Sequence, residues 1–115
     1  MSTILYSRRW TEMVTFYRDV LGLRVVLERD WFVEFHVAPE AFIGVADSAR
    51  ASIEPGHGEG LTLSWQVEQL ATVRMQLIEA GLSVSEIQTR WGALVAYLFD
   101  PDGTRIELWS GPPSG

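Results

Sequence analysis

Cysteine is missing from all 115 residues. No disulfide framework can form, no thiolate can hold a metal, and no thiol can act as a nucleophile. That usage fits the cytoplasm. No stretch approaches the roughly 18 continuous apolar residues of a membrane-spanning helix. The opening Met1-Ser2-Thr3-Ile4 runs into a strand-like segment without the parts of a secretory signal. A Gly-x-Ser-x-Gly elbow is also absent, which removes the mark of a serine nucleophile on a strand-to-helix turn. Basic residues are in deficit, nine against fifteen acidic ones, for a net charge of −6. A field of that sign repels phosphate backbones and anionic membranes, so nucleic acid and membrane are excluded as partners. It favours neutral or cationic molecules.

What is present suits one compact domain over residues 1–115, because 47% hydrophobic content is enough for a packed core. The chain states one pattern twice. Strand-like Ile4-Leu5-Tyr6 is followed by a helical stretch ending at Gly22-Leu23, then by strand-like 24–29, 31–37 and 42–46. Strand-like 61–66 is followed by a second helical stretch ending at Gly81-Leu82, then by strand-like 83–89, 93–99 and 105–109. Met13, Phe16, Tyr17, Val20 and Leu21 recur at helical spacing in the first helix, as do Leu70, Val73, Leu77 and Ala80 in the second. Glu12 and Glu68 lie near the helix starts, where carboxylates suit the dipole. Gly22 and Gly81 are placed as left-handed caps, each followed by the leucine such caps pack back onto the helix. The repeat divides the chain into module one (1–47), a Ser-, Pro- and Gly-rich connector (48–60) and module two (61–115). The fold class is α+β: two tandem βαβββ modules, each a sheet with one helix on its outer face, curving around a cavity.

The end of the chain carries the clearest chemistry. Asp100-Pro101-Asp102-Gly103 has turn residues in order, and the return strand puts Arg105, Glu107 and Trp109 on one face and Ile106 and Leu108 on the other. A carboxylate is thereby fixed on a hairpin between an arginine and a tryptophan. The run Gly56-x-Gly58-x-Gly60 is no phosphate cradle, since it precedes a strand and does not open a helix.

Two segments, Phe16-Tyr17-Arg18-Asp19-Val20-Leu21-Gly22-Leu23 and Phe99 to Leu108, together with the duplicated module, resemble the vicinal oxygen chelate superfamily of glyoxalases, bleomycin-resistance proteins and extradiol dioxygenases. The resemblance implies paired modules wrapping a cavity and assembly as a homodimer, with each cavity inside one chain or shared between two. It also implies a divalent metal held by His and Glu on the first and last strands of each module. Here Glu107 matches such a position. The others fall on Ser2 or Thr3, on Thr62, and on Gly44, Val45 or Ala46, none of them a good ligand. Of the two histidines, His57 precedes Thr62 by roughly 16 Å of extended chain and reads as a loop residue. His36 shares a strand face with Glu34 and Phe32, as a hydrogen-bonded strand histidine or as half of a chelating pair. The metal centre is read as lost, with no cofactor.

Residues 4–17 look like the opening of bleomycin-resistance proteins, with Arg9 where aspartate is common. Such relatives sequester a drug without chemistry, in acidic, aromatic-lined crevices. Tyr6, Trp31, Phe42, Trp91, Tyr97 and Trp109 are the aromatics available to line one here, on which a planar ring can stack and a cation can sit. Strand parity leaves Trp31 and Tyr97 open between core and cavity. Trp65 alternates with Leu61 and Leu63, as core, and Trp10 is a lid or dimer contact. Glu107, Arg105 and His36 complete the candidate ligand-binding set; Glu107 alternatively just pairs with Arg105. The expectation is a cytoplasmic, non-catalytic protein that binds and sequesters a planar or cationic antibiotic-type molecule. The alternatives are a metal-dependent lyase, isomerase or dioxygenase using Glu107, and an accessory domain serving dimerisation.

Overall fold

The computed structural model describes residues 2–50, 60–90 and 92–111, so the sequence readings for His57 and Trp91 lie outside the described residues. The chain divides into two compact units, one formed by 1–59 with 101–103, the other by 60–100 with 104–115. Unit 1 contains β1 (Ser2–Ser7), α1 (Trp10–Thr15), which runs on into a π-helical turn (Phe16–Val20), β2 (Arg24–Arg29), β3 (Phe32–Ala38) and β4 (Ala41–Asp47). Its sheet has the order β1-β4-β3-β2, with β1 parallel to β4 and the other pairs antiparallel. Unit 2 contains β5 (Thr62–Gln66), α2 (Leu70–Glu79), β6 (Gln88–Arg90), β7 (Ala93–Phe99) and β8 (Arg105–Ser110). Its sheet repeats the plan as β5-β8-β7-β6, with β5 parallel to β8. Both sheets are mixed and open, and the class is α+β.

Period-two alternation gives each sheet a helix-covered face and an open face. In unit 1 Leu5, Val33, Phe35, Ile43 and Val45 are buried on the covered face with Met13, Phe16 and Tyr17. The Tyr17 ring lies edge-on to Phe16 at 5.2 Å and 6.1 Å from Phe35. In unit 2 Leu63, Leu98, Ile106 and Leu108 are buried with Leu70 and Leu77 of α2, which packs on β7 and β8. Trp65 stands opposite Leu108 in the register and therefore on this covered face.

Both helices end as the Gly-Leu signal requires. Gly22 and Gly81 take φ of 71° and 96°, where a Cβ would be strained. At α2 the Leu82 N–H donates to the Leu77 carbonyl and the Gly81 N–H to that of Ile78, which satisfies two carbonyls of the last turn. The first helix closes through wider loops, Leu21 N–H to Phe16 and Leu23 N–H to Tyr17, because its last turn is π-helical. Glu12 sits in the first turn of α1, whereas Glu68 lies before the Gln69 N-cap and outside α2.

Two expectations are corrected. Residues 83–89 do not form a strand throughout; only Gln88–Arg90 pair. Ser85 explains this, because its hydroxyl accepts the Tyr97 N–H at 2.8 Å while its own N–H donates to the Tyr97 carbonyl at 2.9 Å. A side chain thus takes the place of a ladder carbonyl, and Arg74 Nε clamps the Ser85 carbonyl from α2 at 2.8 Å. Trp31 lies in the β2–β3 turn rather than on the strand, so Phe32 opens the alternation of β3. Trp10 is half-buried, and its indole N–H donates to the Val45 carbonyl at 2.9 Å, which ties α1 to β4.

The hairpin before β8 is held by two bonds across its neck. The Thr104 N–H donates to Asp100 Oδ1 at 2.8 Å, and the Asp100 N–H donates to the Thr104 carbonyl at 3.0 Å. Both residues are almost fully buried. Asp100→Ala leaves a buried N–H without its acceptor and should cost about 1–3 kcal/mol in urea denaturation, with Asp100→Asn losing less. A loss below about 0.3 kcal/mol, within the range of ordinary surface changes, contradicts this role.

Candidate functional site

The open face of the unit 2 sheet holds a cavity of about 590 Å³. The register assembles it. Parallel pairing sets Ser64 against Glu107 and Thr62 against Arg105, and antiparallel pairing sets Tyr97 against Glu107 and Val95 against Trp109. The edge strand adds Arg90 opposite Ala93. Four of the residues singled out in the sequence, Tyr97, Arg105, Glu107 and Trp109, therefore line one cavity with Ser64 and Arg90. Trp109 is fixed through its backbone, since its carbonyl accepts the Val67 N–H at 2.8 Å and extends the β5–β8 pairing.

The polar groups of this face are specifically engaged. The Ser64 hydroxyl donates to Glu107 Oε1 at 2.7 Å. Arg105 Nε donates to Thr62 Oγ1 at 3.0 Å, and its guanidinium carbon stands 4.8 Å from the centroid of the Tyr97 ring. That distance places the cation over the π face. Among the described residues no ion pair joins Arg105 to Glu107, so the two charges serve different partners. Arg90 Nη2 donates to Gln88 Oε1 at 2.9 Å along the edge strand.

Tyr6, Trp31, His36 and Phe42 belong to unit 1. The register places Tyr6, Phe42 and His36 on the open face of that sheet together with Phe32 and Glu34. The His36 and Phe42 rings are 5.4 Å apart and tilted by 58°, and Glu34 Oε2 accepts from the Ser2 hydroxyl at 3.0 Å. Glu34 is thus paired with a hydroxyl. Trp31, in its turn, packs against the Phe32 ring at 5.7 Å. The exposed Arg18–Asp19 pair is bonded at 2.9 Å, and the hydrogen bond from Arg18 holds the Asp19 carboxyl below its usual range.

The donor set does not fit a catalytic divalent metal. The strand partner of Glu107 is Ser64; Thr62, at the position where the resemblance expects a ligand, lies opposite Arg105 and is bonded to it. In unit 1, Thr3 and Val45 fall on the helix-covered face with Leu5 and Ile43, while Gly44 lies on the open face opposite Ile4. Gly44 has no donor, and the space beside it is taken: a Cβ there would lie 2.6 Å from Phe32 Cε1 and 2.7 Å from Cζ. Among the described residues no three His, Cys, Asp or Glu side chains are grouped to hold an ion. A hydroxyl beside one carboxylate gives too few anionic or imidazole donors to displace water from such a metal.

Sequence reasoning missed Ser64, Arg90 and Phe32. Ser64 follows only once the parallel register is known. Arg90 sits on a three-residue edge strand with no pattern of its own. Phe32 was visible as the alternation partner of Glu34 and His36.

A family model described as the Glyoxalase/Bleomycin resistance protein/Dioxygenase superfamily matches residues 2–108. No curated protein sequence matches the chain. Solved structures share the fold at low identity. A lactoylglutathione lyase from Agrobacterium tumefaciens is 20% identical, with 96% of this chain and 92% of that one covered and a TM-score of 0.79. TnmS3, an antibiotic binding protein from Streptomyces sp. CB03234, is 18% identical over 96% and 93%, with a TM-score of 0.78. The oxidase ChaP-H2 is 24% identical over 96% and 91%, with a TM-score of 0.73. Among the described residues no helix is long and apolar enough to cross a membrane.

The Phe32–Gly44 contact can be tested directly. Gly44→Ala should overpack the sheet face and destabilise by about 1–3 kcal/mol. The cost should shrink in a Phe32→Ala background, because the two positions are in contact. An equal cost in both backgrounds contradicts the reading that the ring fills this space.

Proposed function

The chain belongs to the glyoxalase/bleomycin resistance protein/dioxygenase superfamily, and on that premise we propose that it is a non-catalytic, small-molecule-binding protein of the antibiotic-sequestering kind. Its ligand is planar and lies on the open face of the unit 2 sheet against Trp109, beside Tyr97. One observation carries this reading. Glu107, the acidic residue in a position where the superfamily resemblance expects a metal ligand, shares its cavity with a hydroxyl, two guanidinium groups and two aromatic rings. That set suits recognition of a molecule by stacking and hydrogen bonding, and it includes no histidine to activate the Ser64 hydroxyl and too few ligands for a Lewis acid. The fold shared with an antibiotic binding protein from Streptomyces sp. CB03234 is a precedent for such a use. In this reading Tyr6, His36 and Phe42, with Trp31 at its turn, give the open face of unit 1 an aromatic surface of its own. The protein acts as a cytoplasmic homodimer, the assembly implied by the resemblance, and carries no cofactor.

The test is titration with a panel of glycopeptide and planar heteroaromatic antibiotics, followed by tryptophan fluorescence, with the compounds recovered and weighed by mass spectrometry. At least one planar compound should give a saturable response and return chemically unchanged. Trp109→Ala should weaken it about tenfold, as loss of an aromatic anchor does. Silence across the panel up to about 1 mM, the edge of measurable affinity, or chemical conversion of the bound compound contradicts the proposal.

A further inference from the structure

We infer that the ligand of the unit 2 cavity carries an anionic group, and that it is a planar aromatic carboxylate. This rests on the reading of that cavity as a binding site and specifies its charge. The overall charge of −6 points towards cations, but a bound molecule feels the groups within its own Debye length most strongly, roughly 8–10 Å at ordinary salt. Lining the cavity are two guanidinium groups, Arg90 and Arg105, and one carboxylate, Glu107. The local balance is positive.

The engagement of each group sharpens the point. A cationic ligand would need the Tyr97 ring face and the Glu107 carboxylate. Arg105 already covers Tyr97 at 4.8 Å, and one of the two Glu107 oxygens, Oε1, is already on the Ser64 hydroxyl. A second cation there would also meet Arg105 itself. An anion finds the opposite situation. Arg105 is held by Nε on Thr62 and by its stacking on Tyr97, and among the described residues its two terminal amino groups meet no acceptor. That end of the guanidinium is a fixed fork of donors matched to a carboxylate. Arg90 uses Nη2 on Gln88 and brings a second positive charge to the same cavity. The ring of such a ligand lies against Trp109. Glu107 Oε2 is left to accept a hydroxyl or amine N–H from the ring, which offsets its repulsion of the carboxylate.

Three compounds with one ring system separate the possibilities: 2-naphthoate, 2-naphthamide and 2-naphthylmethylammonium, titrated while the tryptophan indole N–H resonances are followed by NMR. The Trp109 signal is assigned by its loss in Trp109→Ala. The naphthoate should move that signal and bind about tenfold more tightly than the amide, the ratio expected of one charge-assisted hydrogen bond. The preference should fall with added salt and vanish in Arg105→Gln, the naphthoate losing more affinity than the amide. Arg90→Gln should remove part of it. If the amide binds as well as the naphthoate, or the ammonium binds best, the anionic inference fails while the binding site stands. If none of the three moves the Trp109 signal, both fail.

Discussion

The parallel pairing of β5 with β8 governs what Glu107 can do. A carboxylate on a sheet face acts with whatever the neighbouring strand presents beside it. Here the register presents Ser64, whose hydroxyl bonds the carboxylate at 2.7 Å, and two residues along it presents Thr62, which takes Arg105 Nε. A serine neutralises nothing and adds no strong metal donor, but it orients the carboxylate. The same pairing, carried on to the Val67–Trp109 bond, holds the tryptophan two residues beyond. Acid, arginine and aromatic ring are thus set by one pair of strands and not by flexible loops.

The second strand pairing that matters is irregular. β7 receives a true ladder from β8, but beyond β6 its outer edge is bonded by Ser85 through both backbone and side chain. Arg74 of α2 pins that serine by its carbonyl. Tyr97 is therefore held at N–H and carbonyl while its ring stays on the open face beneath Arg105. The helix on the covered face and the cation on the open one are linked through a single residue of β7. Cation–π stacking and the Thr62 bond together keep Arg105 away from Glu107, and that separation leaves two unlike charges available within one cavity.

The duplicated fold was legible because its signals are local. Gly22-Leu23 and Gly81-Leu82 announce helix ends that only a positive φ can make, and alternation in 105–109 sorts the faces of β8 without any knowledge of its neighbours. What required the structure is non-local or turns on one residue. A strand that begins at Phe32 leaves Trp31 in the turn, off the face that Phe32, Glu34 and His36 share. A parallel register cannot be read from either strand alone, so the pairing of Ser64 with Glu107 was not visible. Residues 83–87 have strand composition, yet the Ser85 hydroxyl outcompetes the ladder. Net charge hid the local sign, because Arg90 and Arg105 are distant in sequence and, opposite the two ends of β7, are brought to one cavity only by the sheet.

The central claim is that Glu107 and its neighbours are a recognition surface and not a metal site. The most direct measurement is metal content. The purified protein, equilibrated with Zn²⁺, Ni²⁺, Mn²⁺ or Fe²⁺ and passed through gel filtration, is assayed by inductively coupled plasma mass spectrometry beside Glu107→Gln. The account predicts far less than one ion per chain for every metal, with no difference between the two proteins. A stoichiometric ion that is lost in Glu107→Gln contradicts it.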